Sequence, residues 1–390
     1  MSAESAGTVT LSLCGDVMLG RGVDQILPCP GDPELREGFM RDARAYVGLV
    51  ETVSGKIPAP VEPSWPWGDA LEVLDEAAPD VRVINLETSV TRHSGFDPGK
   101  GVHYRMNPGN LGCLGAARPD VCVLANNHVM DFGRPGLEET LDALADRGLR
   151  TAGAGRHADE ASSPAVVPAG AGRRVLVVSM GTPSSGIPLE WAAGPDRSGV
   201  NFLARPTRAA ALRVSSRMRE SKRHGDVVVA SVHWGSNWGY GVPGSQRAFA
   251  HALIDGGGVD VVHGHSSHHP RPVEVYRGKL VLYGCGDFVD DYEGVEGHEE
   301  YRDDLRLLYL VSVEADTGRF AALRMAPFQS RRMRLRHASP QDAEWLRGVL
   351  DGISGEFGVR VENGEDGMLT LLPADRGRPD AADGGHRDPS

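Results

Sequence analysis

The segment Val261–Asp287, VVHGHSSHHPRPVEVYRGKLVLYGCGD, holds four of the chain's fourteen histidines within seven residues. A short apolar run, Val259 to Val262, leads into them. Two further runs, Val273–Tyr276 and Leu280–Tyr283, follow as a hairpin-like pair. Histidines crowded just past a buried strand are metal-ligand residue types delivered at the carboxyl edge of a sheet, where open α/β sheets present their ligands.

The same arrangement recurs along the chain. The alternating run Thr8–Cys14 ends at Gly15-Asp16, and Val81–Leu86 carries Asn85 and closes on Glu87. Val121–Ala125 ends in Asn126-Asn127-His128, Arg174–Ser179 forms a further strand, and Asp226–Val232 ends at His233-Trp234-Gly235. A lone aspartate or histidine after a strand is ordinarily a turn or cap residue. Carboxylates, amide oxygens and imidazoles at five strand ends together suit a divalent cation: Mn, Fe, Zn, or Ca and Mg. Thiolate sites are absent, since the five cysteines form no CxxC pair.

Between these strands lie amphipathic helices expected at Gly68–Ala77, Pro135–Arg147, Thr207–Arg223 and Ser245–Asp255. Pro135 starts the second of them, and Gly148 follows its end. A further helical piece is expected near Glu34–Val50, and a short one at Pro108–Leu114. Strands alternating with such helices imply an α/β layered fold. Beyond the histidines the pattern changes to an antiparallel pair, Leu305–Glu314 and Phe320–Pro327. A helix near Pro340–Ile353 and strands Val359–Glu362 and Met368–Leu372 come next. The expected organisation is one domain over 8–330 and a small C-terminal α+β extension over 331–372 packed on it. The tail, 373–390, is poor in apolar residues and is expected to be disordered.

Lysine plus arginine (41) against aspartate plus glutamate (53) gives a net charge of −12, which disfavours a nucleic-acid surface. No stretch reaches the length of a membrane span, and the N-terminus MSAESAGTVTLSLCGD lacks a basic leader region. With an odd number of irregularly spaced cysteines, these features predict a cytoplasmic protein with no nucleic-acid or membrane partner.

In order, GDVMLGRGVD, NLETSV, ANNHVMDFG, SVHWG, GHSSHH and YGCGDF resemble the motif series of the CapA family, named for a capsule poly-γ-glutamate component. The resemblance spans roughly residues 9–330. It implies a calcineurin-like metallophosphoesterase fold, a four-layer αββα sandwich, and a divalent metal ion (Mn, Ca, Mg, Fe or Zn). Carried over to this chain, it makes Asp16 a ligand of a first metal and Glu87 the bridging carboxylate. Asn127 would bind a second metal through its amide oxygen, with His128 beside the reacting group. His233, His265 and His268 would complete the shell, the choice between His263 and His265 staying open, and Asp131 would orient His128. The chain departs from the pattern at three places. Met18 stands where Asp-x-His would have its histidine, Gly264-His265-Ser266-Ser267-His268 stretches Gly-His-x-His, and Asp287 replaces the asparagine of Gly-Asn-Phe. A dinuclear phosphoesterase needs two close ions, so a lost ligand weakens that activity.

Outside the motifs, Asp290-Asp291-Tyr292, His298-Glu299-Glu300 and Asp303-Asp304 form an acidic stretch. It reads as a solvated loop, or as a loop bringing His298 to the metal as a general acid or base. Cys14 and Cys285 read as packing residues. Trp234, Trp238 and Tyr240 read as core, or as the wall of a pocket for an aromatic or peptidic substrate. The activity expected is metal-assisted inversion of a Cα in a peptide, with His128, His298 and Asp16 as the acid/base groups. By resemblance the substrate would be a lasso-type ribosomal peptide ending in tryptophan, and the partners other enzymes of its biosynthetic cluster. The alternatives are a metal-dependent phosphoesterase and a poly-γ-glutamate or capsule biosynthesis component.

Overall fold

The computed structural model describes residues 7–364 and 366–373. Strand β1 (Thr8–Val17) is the hub of the first sheet, with β2 (Val81–Leu86), β3 (Val121–Val123) and β4 (Arg150–Ala152) parallel beside it in that order. The chain then builds a second sheet from β5 (Ala165–Pro168), β6 (Arg174–Gly181), β7 (Val227–His233), β8 (Val261–His265), β9 (Val273–Tyr276) and β10 (Lys279–Leu282). Their spatial order is β9-β10-β8-β7-β6-β5, parallel except for the two outermost pairs. It returns to the first sheet through β11 (Asp287–Val289), β12 (Leu305–Glu314) and β13 (Phe320–Ser330).

Side chains alternate across each strand, so every strand buried on both faces must be apolar on both. The residues divide accordingly. Val9, Leu11, Leu13, Val81, Val83, Val121 and Val123 of the first sheet pack with Val175, Val177, Val227, Val229 and Val261 of the second. The intervening residues face outward. Ile84, Leu86, Cys122 and Leu124 meet α1 (Arg44–Ser54), α2 (Ala70–Ala77), α3 (Leu111–Ala116) and α4 (Gly133–Asp146). Leu176, Val178, Val228, Ala230 and Val262 meet α5 (Arg208–Ser221) and α6 (Gly244–Asp255). The result is the expected four-layer αββα order. Helix α5 starts where the Thr207 hydroxyl oxygen accepts the Ala210 amide at 3.2 Å, a side-chain cap on an otherwise orphan donor.

Three local expectations change. The helix expected from Glu34 begins only at Arg44, because 32–43 folds back on itself, with Glu34 bridging Asp42 and Pro33 accepting from the Ala43 amide. Strands β1, β6, β7 and β8 run further than their apolar stretches. Asp16, His233 and His265 are therefore strand residues and not loop residues. Finally, β11 is a strand of three residues, too short for periodicity to reveal.

Residues beyond 331 enlarge the first sheet. Both β14 (Leu335–His337) and β16 (Leu369–Pro373) pair with β13, and β15 (Val359–Asn363) pairs with β16. Helix α7 (Pro340–Ser354) buries Leu346 and Leu350 in the inner core. The expected disordered tail lies, from 374 on, outside the described residues. Among the described residues no helix is long and apolar enough to cross a membrane.

Candidate metal centre

The carboxyl ends of β1, β2, β7 and β8 meet at one end of the sandwich. Register places the key residues side by side: Asp16 beside Asn85 on one flank and Asp287 on the other, and His233 beside His265. Gly15 makes the approach possible, because a Cβ there would fall 1.5 Å from the Gly286 carbonyl oxygen. That same carbonyl accepts from the Asp16 amide at 3.0 Å.

Asp16, His233 and His265 each offer one ligand atom, all within 4.8 Å of one another, and all three residues are buried. The two imidazoles meet Nδ1 to Nδ1 at 2.7 Å, with the Asp16 carboxylate 4.0 and 3.8 Å from these nitrogens. His263, left open against His265 in the sequence, points elsewhere. Its Nε2 donates to the Cys14 carbonyl at 2.8 Å, and its Nδ1 lies 3.2 Å from the Ser231 hydroxyl.

A second group sits on the Nε2 side of His233, which is 2.8 Å from the Asn127 amide oxygen and 3.8 Å from Glu87. His128 joins it, its Nε2 3.9 Å from the Glu87 carboxylate. Asn85 donates to Asp16 at 2.6 Å and to Glu87 at 3.2 Å, and Asn126 donates to Asn85 at 3.0 Å. The Asp131 carboxylate holds His128 Nδ1 at 2.7 Å, as the resemblance implied for it. Lys100 adds a salt bridge to Asp131 at 2.8 Å and also donates to the Asn127 carbonyl. Nothing local in the sequence marks Lys100. It sits in an irregular segment with no periodicity, and only the contacts reveal it.

The remaining candidates are not among the three donors Asp16, His233 and His265. His268 pairs with Asp287 at 3.0 Å, and Tyr292 donates to the same carboxylate. His298 stacks face to face on Trp238, with centroids 3.9 Å apart and planes 8° apart. It is not among the residues lining the cavity described below. Asp290 and Asp291 are not a solvated loop. Both are buried, Asp290 against Arg306 at 2.5 Å and Asp291 against Arg21 at 2.5 Å. Trp234 is core, stacked on Tyr283. Trp238 lines the cavity, whereas Tyr240 packs on His269 and Tyr301. Cys14 and Cys285 are buried, and burial pushes both thiols up, which suits packing residues.

Burial governs the charges. It pushes the Asp16 carboxyl up to about 7, helped by the nearby Asp287 carboxylate, and drives Glu87 well above its ordinary range. It drives the imidazoles of His233 and His265 well below theirs and brings His128 to about 4, so all three are neutral at pH 7. Burial works against a charged His268 too, but its pairing with Asp287 wins and raises it to about 9. Two neutral imidazoles and an uncompensated buried carboxylate are a donor set short of positive charge, and a divalent cation supplies it. Asp16, His233 and His265 therefore fit such an ion, with Glu87 and Asn127 within reach of a further position. A cavity of about 740 Å³ opens beside them, lined by Met18, Glu87, Asn127, His128, Trp238 and His268 among others.

The family model described as bacterial capsule synthesis protein PGA_cap matches residues 10–292. A probable polyglutamine synthesis accessory protein of Mycobacterium tuberculosis is 52% identical over 373 residues, covering 95% of this chain and 98% of that one. The PGA biosynthesis protein CapA of Bacillus subtilis is 29% identical over 249 residues, 62% of this chain and 60% of its own length. The capsule biosynthesis protein CapA of Bacillus anthracis is 24% identical over 285 residues, 73% and 60% of the two chains.

Proposed function

This chain belongs to the bacterial capsule synthesis protein family, and we propose that it serves the synthesis of a glutamyl polymer as a metal-dependent enzyme acting on amide bonds. The observation that carries this reading is the buried Asp16–His233–His265 group, whose His233 reaches a large cavity through Asn127 and Glu87, both of which line it. One carboxylate with two neutral imidazoles is the ligand type of catalytic ions that keep an open position for water or substrate. A bound divalent ion there would polarise a carbonyl oxygen and make a coordinated water acidic. The chain's own residues do the rest. His128 is neutral, with Nδ1 tied to Asp131, which leaves Nε2 to take the proton of an attacking water or return it to a leaving amine. Asp131, itself paired with Lys100, accepts from Nδ1 at 2.7 Å and so favours that tautomer. The Asn85 amide holds Glu87 and Asp16 in place, and the Asn126 amide holds Asn85.

Two other expectations are less well supported. Met18 occupies the position of a missing imidazole ligand, which disfavours a two-ion phosphoesterase. Inversion of a peptide Cα needs acid/base groups on both faces of the substrate, and His298, expected as one of these groups, is stacked on Trp238. The named relatives are capsule and polyglutamine synthesis proteins, and the capsule alternative is the reading we carry forward.

The test is to load the purified protein with single divalent ions and incubate it with poly-γ-glutamate oligomers, reading chain length by mass spectrometry. Shorter chains with new amino termini are expected from wild type and not from His265→Ala. An unchanged length distribution with every ion, in oligomers and in acylated glutamyl amides, would overturn the reading.

A further inference from the structure

Four large apolar side chains among the described residues are more than half exposed: Phe39, Leu49, Val53 and Leu189. Three of them, Phe39 (76%), Leu49 (56%) and Val53 (78%), line the cavity beside the metal donors. Leu49 and Val53 are one turn apart on α1 and so share a stripe of its surface. Tyr46 and Val50, on the neighbouring stripe, are already buried in the outer core. The helix is thus apolar on two sides, where a surface helix needs only one apolar side to fold. The second side is turned to the cavity, together with Val102 and Val295.

Polarity along the cavity is ordered. Glu87, His128 and Asn127 belong to its buried end, whereas Phe39, Leu49 and Val53 belong to its open end. An apolar lip flanked by Glu293 and Glu296 offers the carboxylates of a glutamyl polymer no partner, so the polymer alone gives the lip no role. An aromatic side chain anchored at the donors would fill the inner part and leave the lip without a role. An anionic bilayer is opposed by those glutamates and by the net charge of −12. One occupant matches the whole path: a molecule with a polar head at the donors and a single long apolar chain running out over the lip.

We propose that the outer part of this cavity is a subsite for one alkyl or prenyl chain of an amphiphilic substrate. That the head is a glutamyl amide rests on the function proposed above, while the chain subsite stands on the cavity alone. The test uses N-acyl-glutamates with chains from about four to about sixteen carbons, titrated into the metal-loaded protein by calorimetry, with affinity expected to rise about two- to fourfold per methylene. Leu49→Ser with Val53→Ser changes exposed side chains. That variant should keep its metal content and its affinity for the shortest ligand while losing most of the dependence on chain length. His265→Ala should lose the metal yet keep that dependence in the longer ligands, which separates failure of the subsite from failure of the metal-enzyme reading. A flat series in wild type, or an unaltered slope in the Leu49/Val53 variant, would overturn the proposal. So would sedimentation with lipid vesicles that depends on Leu49 and Val53 when free amphiphiles show no chain-length effect, since the lip would then be a membrane face.

Discussion

Histidines 263 and 265 are two residues apart on one strand and share a face, so nothing in the local sequence separates them. The difference comes from β1, whose Cys14 carbonyl occupies His263, while Asp16 lies near His265. Their substitutions should therefore behave differently. His265→Ala should abolish stoichiometric binding of a divalent ion, measured by elemental analysis after dialysis, because water does not replace a ligand in a buried three-donor set. His263→Ala should retain the ion and lose about 1–3 kcal/mol of folding stability, for the Cys14 carbonyl and the Ser231 hydroxyl lose a buried partner. Equal metal loss in both variants would contradict this assignment. The pH dependence of binding follows from Asp16, whose carboxyl stands at about 7 without a cation. Below that pH an entering ion must displace a proton, and above it none. Affinity should fall about tenfold per pH unit on acidification from about 7 and level off on the alkaline side. Both histidine ligands are already neutral there, since burial holds them well below their ordinary value. Metal titrations across this range giving a constant affinity would show that Asp16 is not a ligand.

At the scale of elements, the strand ends were the most legible part of the chain. An apolar run closing on Asp, Asn or His announces both a buried parallel strand and its ligand edge, and β1, β2, β3 and β7 follow it. What the sequence could not show were features set by the approach of distant segments. The three residues of β11 have no period of their own, and their place beside β1 depends on a backbone contact across some 270 residues of chain. Likewise Asp290 and Asp291 look solvated until Arg306 and Arg21 are found paired with them in the interior. Gly15 marks where these features depend on one residue. Its backbone touches Gly286 so closely that an added methyl cannot be accommodated without separating β1 from β11. Gly15→Ala should cost at least ~3 kcal/mol in denaturant unfolding and weaken metal binding, because Asp16 moves with the strand. A variant as stable as wild type would mean the two strands separate without penalty.

For the whole molecule, the question is whether residues 331–373 form an appendage or part of the sandwich. Their contacts point to the latter. Met333 and Leu335 belong to the outer core with α2 and α3, and Leu346, Leu350, Val359, Val361, Leu369 and Leu371 belong to the core between the sheets. The backbone is committed as well. Leu335 accepts from the Asp69 amide at 3.1 Å, and the Arg332 carbonyl accepts from the Trp65 indole at 3.0 Å. Ending the chain at Ser330 would expose the inner face of β13 and turn it into a long unpaired edge, a template for aggregation. Ending it after Pro373 removes none of these contacts. A chain of 1–330 should therefore be insoluble or lack a cooperative thermal transition, whereas 1–373 should melt as the full chain does. Loss of the metal donors does not enter this comparison, since all of them precede residue 331. If 1–330 instead unfolds cooperatively and binds the ion with unchanged affinity, the first sheet is complete at β13, and the return through α7 is an addition the fold does not need.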